Sequence, residues 1–347
     1  MQKCLKAMHY DVVTDEFPRR FLSFSQRLLD RSKRMIAFYV LGRKSVNPNP
    51  FYPNKESWDR ICRNTSRFVR ERIDTVDFFN GKISPSKDMI NRFDTFIIGS
   101  DQVWRDSYGR VESYFCDFAG ESDKKIFSYA ASFGLDSWQF DRERTEVLRS
   151  LIRRFKAVSV REKDAVELCR DNLNIEADWV LDPTLLLSKE DYISLFKDVC
   201  KEKSEGNLMT YILDYTEEKQ GLIDVVEKQK GLKSFSVMAK ENEEFPAIEK
   251  WLRGFYDAKF VLTDSFHGMV FSIIFEKPFL VVLNKQRGSS RFLSLLSALG
   301  LEDRLIENID GFNLNLLDKE IDYERLRKRL FALVDRSKEF LINCLEK

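Results

Sequence analysis

Phe260-Val-Leu-Thr-Asp-Ser-Phe-His-Gly268 begins as an apolar run and breaks at Thr263, Asp264 and Ser265 before Phe266, His267 and Gly268. Consecutive apolar residues ending in a cluster of short polar ones read as a buried strand that stops sharply. Thr-Asp-Ser is also a strong N-cap signal, so the stretch predicts a strand passing directly into a helix. His267 then stands in the first helical turn, where unpaired amides and the helix dipole favour a phosphate or carboxylate. Asp264, Ser265 and Gly268 lie at the same mouth. Imidazole is the usual proton carrier near neutral pH, and the chain has only two histidines, the other being His9 in a setting of no such kind. A structural histidine and a catalytic one both fit these residues.

The same grammar repeats along the chain. Strands are expected at Phe93–Ile98, Ile126–Ala131, Ala157–Val160, Trp179–Leu181, Leu208–Leu213, Ser234–Met238, Phe260–Leu262 and Phe279–Leu283. Between them lie charged segments with apolar residues at i, i+3 and i+4, such as Arg142–Phe155, Lys163–Cys169 and Lys189–Cys200. This alternation predicts an α/β fold of βαβ units with mainly parallel sheets. The turn Asp182-Pro183-Thr184 and the restart after Gly206 divide it into two Rossmann-like domains, 1–186 and 187–347. Ligands of such sheets bind at the carboxyl ends of the strands, which would place a cleft between the two halves. Asp322–Lys347, with Leu326, Leu330, Leu333 and Leu341 on one stripe, is expected as a long terminal helix.

Composition bounds the function. The chain has 347 residues, with 57 Lys plus Arg against 56 Asp plus Glu, a net charge of +1. That balance argues against a nucleic-acid-coating protein and against a highly charged disordered chain. Six cysteines form no CxxC pair, so zinc ribbons and thioredoxin-type sites are out, and two histidines exclude a His-rich metal centre. The N-terminus MQKCLKAMHYDVV lacks the apolar core of a signal peptide. The apolar stretch Met269–Leu283 is interrupted by Glu276, Lys277 and Pro278, well short of the roughly 20 residues of a span. A cytoplasmic protein is the expectation.

Other strand ends carry polar residues. Phe96-Ile-Ile-Gly-Ser-Asp-Gln-Val-Trp104 brings Ser100, Asp101 and Trp104 to one loop. They could orient sugar hydroxyls and a sugar ring, or cap a helix and fill the core. Ala157-Val-Ser-Val-Arg161-Glu162 delivers an arginine that could fork onto an anion or pair with a carboxylate. Downstream, Lys285, Arg287 and Arg291 could add positive charge to the same rim or form a solvated loop.

Taken together, GSDQVW (99–104), SYAASFG (128–134), VSVRE (158–162), VLDPTLLL (180–187), TDSFHG (263–268), FEKPF (275–279), SSRF (289–292) and LGLEDR (299–304) resemble, in order, the motifs of the polysaccharide pyruvyl transferase family. The resemblance implies a two-domain, glycosyltransferase-B-like fold with the acceptor on the first domain and the donor on the second. It also implies transfer of the enolpyruvyl unit of phosphoenolpyruvate to a sugar as a ketal, in capsule, exopolysaccharide or cell-wall glycan synthesis. His267 would then be the general acid or base. Arg161, Arg291 and the amides after Ser265 would hold the donor, with Lys277 counted among the substrate-binding residues. Ser100, Asp101 and Trp104 would face a free or lipid-linked sugar, and neither metal nor cofactor is implied. Some characterised members carry an arginine where this chain has Ser265. The opening MQKCLKAMHYDVV resembles the end of the family's first helix and its second strand, so the first βα unit is expected to be missing. These departures keep open a nucleotide-sugar glycosyltransferase and an inactive paralogue.

Between Phe17 and Lys44, eight basic residues and one acid are interleaved with Phe21, Phe24, Leu28, Leu29, Met35, Ile36 and Phe38. Such a stretch reads either as a peripheral contact with an anionic membrane or as a helix covering the N-terminal domain.

Overall fold

The computed structural model describes residues 1–16, 21–40, 48, 54–108, 110–120, 122–239, 243–284 and 288–346. Its strands are β1 (Thr14–Asp15), β2 (Thr75–Val76), β3 (Thr95–Ile98), β4 (Lys125–Ser128), β5 (Ser159–Val160), β6 (Asp178–Trp179), β7 (Leu208–Tyr211), β8 (Ser234–Phe235), β9 (Phe260–Thr263), β10 (Phe279–Val282) and β11 (Leu305–Ile306). Every described strand pairing is parallel. The chain is therefore α/β with parallel sheets, as the alternation predicts. All eight expected strands are present; most end one to three residues short, while β4 and β6 begin one residue earlier than expected and β9 runs one residue further.

The C-terminal half holds a five-stranded sheet in the order β11-β10-β9-β7-β8. Its register aligns Met209 with Val261 and Val261 with Phe279, so these side chains share one face. That face packs on Leu252, Phe255, Phe266 and Met269. The alternate residues Leu208, Phe260, Leu262, Leu280 and Val282 pack instead on Leu222, Ile223 and Val226 of the helix Glu217–Lys230. A sheet covered on both faces needs apolar residues at every position, which is why β9 and β10 read as unbroken apolar runs.

In the N-terminal half, β3 pairs with β4 and β5 with β6, and bridges Phe127–Ala157 and Ala131–Val160 join the two pairs. β1 and β2 form a separate pair. One core gathers Trp104, Phe115, Phe133, Leu148, Ile152 and Val160. A second joins Cys4, Leu5, Phe127 and Tyr129 to Leu341 and Cys344 of the terminal helix. That helix, Tyr323–Glu346, is 24 residues long. Its Leu326 belongs to the C-terminal core, so it straps both halves. Its Ser337 Oγ accepts from Leu181 N at 3.1 Å, and Lys125 Nζ donates to Leu345 O at 2.7 Å.

The six cysteines form no disulfide. No described helix is long and apolar enough to cross a membrane.

Candidate functional site

The turn after β9 is held by its own side chains. Thr263 Oγ1 donates to Tyr211 O at 2.7 Å and accepts from Ser265 N at 3.0 Å. Ser265 Oγ accepts from Gly268 N, capping the helix Phe266–Ile274. A Cβ on Gly268 would lie 2.2 Å from Thr263 Oγ1. This glycine is therefore what lets the helix sit against its own strand. Of the nine residues in the helix, His267 alone is not buried, and its side chain is 41% exposed.

Facing that imidazole is Asp182, three residues beyond the end of β6. Asp182 Oδ2 lies 3.8 Å from His267 Nε2 and accepts from Arg161 Nη1 at 3.1 Å. Its other oxygen accepts from Thr184 N and Oγ1 at 3.0 and 2.7 Å. Burial alone would raise the acid; His267, Arg161 and Thr184 outweigh it and hold Asp182 below the ordinary carboxylate value. Though partly exposed, the imidazole is hemmed in by packed neighbours, and the resulting desolvation lowers it below its ordinary value, while Asp182 pulls in the opposite direction. The imidazole is accordingly neutral at pH 7, with a carboxylate placed to steady it when it takes a proton.

Arg161 is the hub. Its side chain is 1% exposed and contacts Asp182, Asp101 Oδ1 at 3.3 Å and Glu162 Oε1 at 3.6 Å. These acids overcome the burial that would lower its pKa and raise it instead. Its guanidinium lies 5.0 Å from the centre of the Phe266 ring, and that of Arg291 lies 5.6 Å from the same ring. Two guanidiniums over one aromatic ring form a cation–π cluster. Glu162 is buried, accepts from the Ser132 hydroxyl, and has its pKa raised by burial.

The structure thus brings His267, Arg161, Arg291 and Asp101 together, with Ser100 half-buried beside Asp101 and Asp101 itself 71% exposed. Gly99 sits so close to the neighbouring strand end that a Cβ would lie 2.0 Å from Tyr129 O, which is why this loop begins with glycine. Lys285 and Arg287 lie outside the described residues.

Five assignments change. Trp104 is fully buried against Phe115 and Phe133, with Nε1 donating to Tyr114 O, so it is a core residue and faces no sugar. Asp264 is fully buried and accepts from Leu213 N, Asp214 N and Lys219 Nζ at 2.6 to 3.1 Å; it staples the loop after β7 rather than meeting a ligand. Lys277 follows the far end of the His267 helix and donates to Tyr256 O, away from the imidazole. Gly268 is a packing residue, as above. Arg161 is too enclosed by carboxylates to be an open anion clamp.

Sequence reasoning places Asp182 only in a turn and Glu162 only as a carboxylate that Arg161 could pair with, and gives Phe266 no role. For Glu162, an acid two residues beyond the end of β5 is the available signal. A cavity of about 610 Å³ lies elsewhere, between the end of the helix Ser290–Leu299 and the start of the terminal helix, beside Arg304, Arg325 and Arg329. Among the described residues, no group of three His, Cys, Asp or Glu side chains is placed to hold a metal.

Comparison with known proteins gives the following. Among curated proteins none matches. A solved structure titled as the glycotransferase of kitacinnamycin is 12% identical, with a TM-score of 0.40 over 74% of this chain and 76% of that one. The wall teichoic acid polymerase TagF is 9% identical, with a TM-score of 0.40 over 93% of this chain and 98% of that one. The profile of the family described as polysaccharide pyruvyl transferase matches residues 5–286. With that match spanning most of its 347 residues, the chain belongs to the polysaccharide pyruvyl transferase family.

Proposed function

We propose that this protein transfers the pyruvyl unit of phosphoenolpyruvate to two hydroxyls of a sugar as a ketal, in building a surface or capsular polysaccharide precursor at the cytoplasmic side. The acceptor is a glycan or a lipid-linked sugar. The observation that carries this reading is His267: the one unburied residue of its helix, paired with Asp182 and flanked by two guanidiniums on Phe266. Two Rossmann-like halves, 1–186 for the acceptor and 187–347 for the donor, each contribute residues to it.

Arg291 and the first-turn amides of the His267 helix meet the donor's phosphate and carboxylate. Arg161 is a positioning residue that fixes Asp182 against the imidazole. Asp101, exposed and tied to Arg161, receives a sugar hydroxyl with Ser100. Neutral His267 takes the proton of the first attacking hydroxyl as its oxygen bonds to the central carbon of the enol. The same proton passes to the methylene carbon, turning it into a methyl group. The second hydroxyl then attacks that central carbon, the bond to the phosphate oxygen breaks, and phosphate leaves with the electron pair and the second proton.

Replacing His267 by Gln is expected to lower turnover by roughly 10²–10⁴ while leaving the melting temperature unchanged. Incorporation of labelled phosphoenolpyruvate into a panel of free and lipid-linked sugars measures it. Full activity in the folded variant removes His267 from the reaction.

A further inference from the structure

Exposed large apolar side chains are ordinarily scattered singly over a protein surface. Here Phe24, Leu28, Leu29, Met35, Ile36, Tyr39 and Val40 are all 46–83% exposed within one continuous element, the helix Phe24–Met35 and the π-helical turn Ile36–Val40. Neither contains a buried residue. The helix is nonetheless well made: Ser23 caps it in a reciprocal capping box with Gln26. A stable helix with an uncovered apolar face needs a partner.

The positions of the charges indicate which one. At about 100° per residue, Phe24, Leu28 and Met35 form one side of the apolar face and Leu29 and Ile36 the other, with the small hydroxyls of Ser25 and Ser32 between them. Arg27, Arg31 and Arg34 follow i, i+4, i+7 spacing along one flank, and Lys33 lies on the opposite flank. Long cationic side chains bordering an apolar face can bury their stems and keep their charges at a headgroup level. Over Phe17–Lys44 there are eight basic residues and a single acid in a chain whose net charge is only +1. The surplus is local, and a protein core or a second copy of this same basic helix does not complement it. An anionic bilayer surface does, on both the apolar and the charged count.

We propose that Phe24–Val40 is an interfacial helix that lays the protein on an anionic membrane. The inference is independent of the transferred group and of His267.

The test is flotation of the full chain with vesicles of phosphatidylcholine alone or mixed with phosphatidylglycerol. Expected is co-flotation with the anionic vesicles only, falling several-fold as salt rises from about 0.1 M to about 1 M. Reversing two exposed charges, Arg31→Glu with Lys33→Glu, should lower the partition coefficient more than tenfold, at about fivefold per charge. The triple variant Leu28→Ser, Leu29→Ser, Ile36→Ser touches no buried contact and should lose flotation while keeping its wild-type melting curve. The proposal is overturned by absence of flotation, by equal flotation with neutral vesicles, or by flotation that the triple variant retains. Sedimentation showing a dimer that the triple variant dissociates also overturns it, since the face would then be covered by another copy.

Discussion

Asp182 links the two halves of the site through a single oxygen, which meets His267 Nε2 and Arg161 Nη1. Its charge opposes the burial that lowers the imidazole pKa. Replacing it by Asn removes that opposition, so His267 becomes harder to protonate. The acid limb of the kcat/KM profile should therefore move to lower pH, with turnover reduced by about 10²-fold through loss of imidazole placement. A limb that stays in place shows that another group sets it. The carboxylate also bears on stability. Because its folded pKa is depressed, its contribution is complete above the ordinary value of 3.8 and is lost as pH falls through the lower folded value. The Asn variant should lack that part of the acid-denaturation curve, as followed by circular dichroism.

The turn from β9 into the His267 helix shows which elements could be read in advance and which could not. Apolar runs and the Thr-Asp-Ser cap announce strand and helix, because both are local properties. Gly268 is different: its need arises from Thr263 Oγ1, 2.2 Å from where a Cβ would be. Alanine gains at most about 1 kcal/mol of helix propensity, against about 1–3 kcal/mol for forcing extra volume into a packed contact. Gly268→Ala should therefore lose stability, measured by urea denaturation, and lower activity by displacing His267. β5, β6 and β8 are as short as β2 and β11, two residues each, but sit inside longer apolar or alternating runs, which β2 and β11 lack. Trp104 is readable both as a core and as a sugar-facing side chain. Only the surrounding Phe115 and Phe133, brought in from other parts of the chain, decide for the core. The meeting of Asp182 with His267 is likewise a product of tertiary packing, and no spacing rule contains it.

At the scale of the whole molecule, the terminal helix was foreseeable from its leucine stripe, but its two attachments were not. Leu326 lies in the C-terminal core and Leu341 completes the N-terminal one. Leu341 is fully buried beside Phe127 and Tyr129. Its replacement by Ala should cost about 2–5 kcal/mol, read as a shift of the urea midpoint. If the loss is instead within a few tenths of a kcal/mol, that end of the helix is not a true part of the core.

This strap has a consequence for biosynthesis. Domains generally fold as units while the ribosome is still working, the N-terminal one first. Phe127 and Tyr129 emerge well before Leu341, the leucine that shields them. A nascent chain stalled shortly before Phe340 would hold an N-terminal half with an open greasy seam, a natural substrate for chaperones and quality-control proteases until translation closes it.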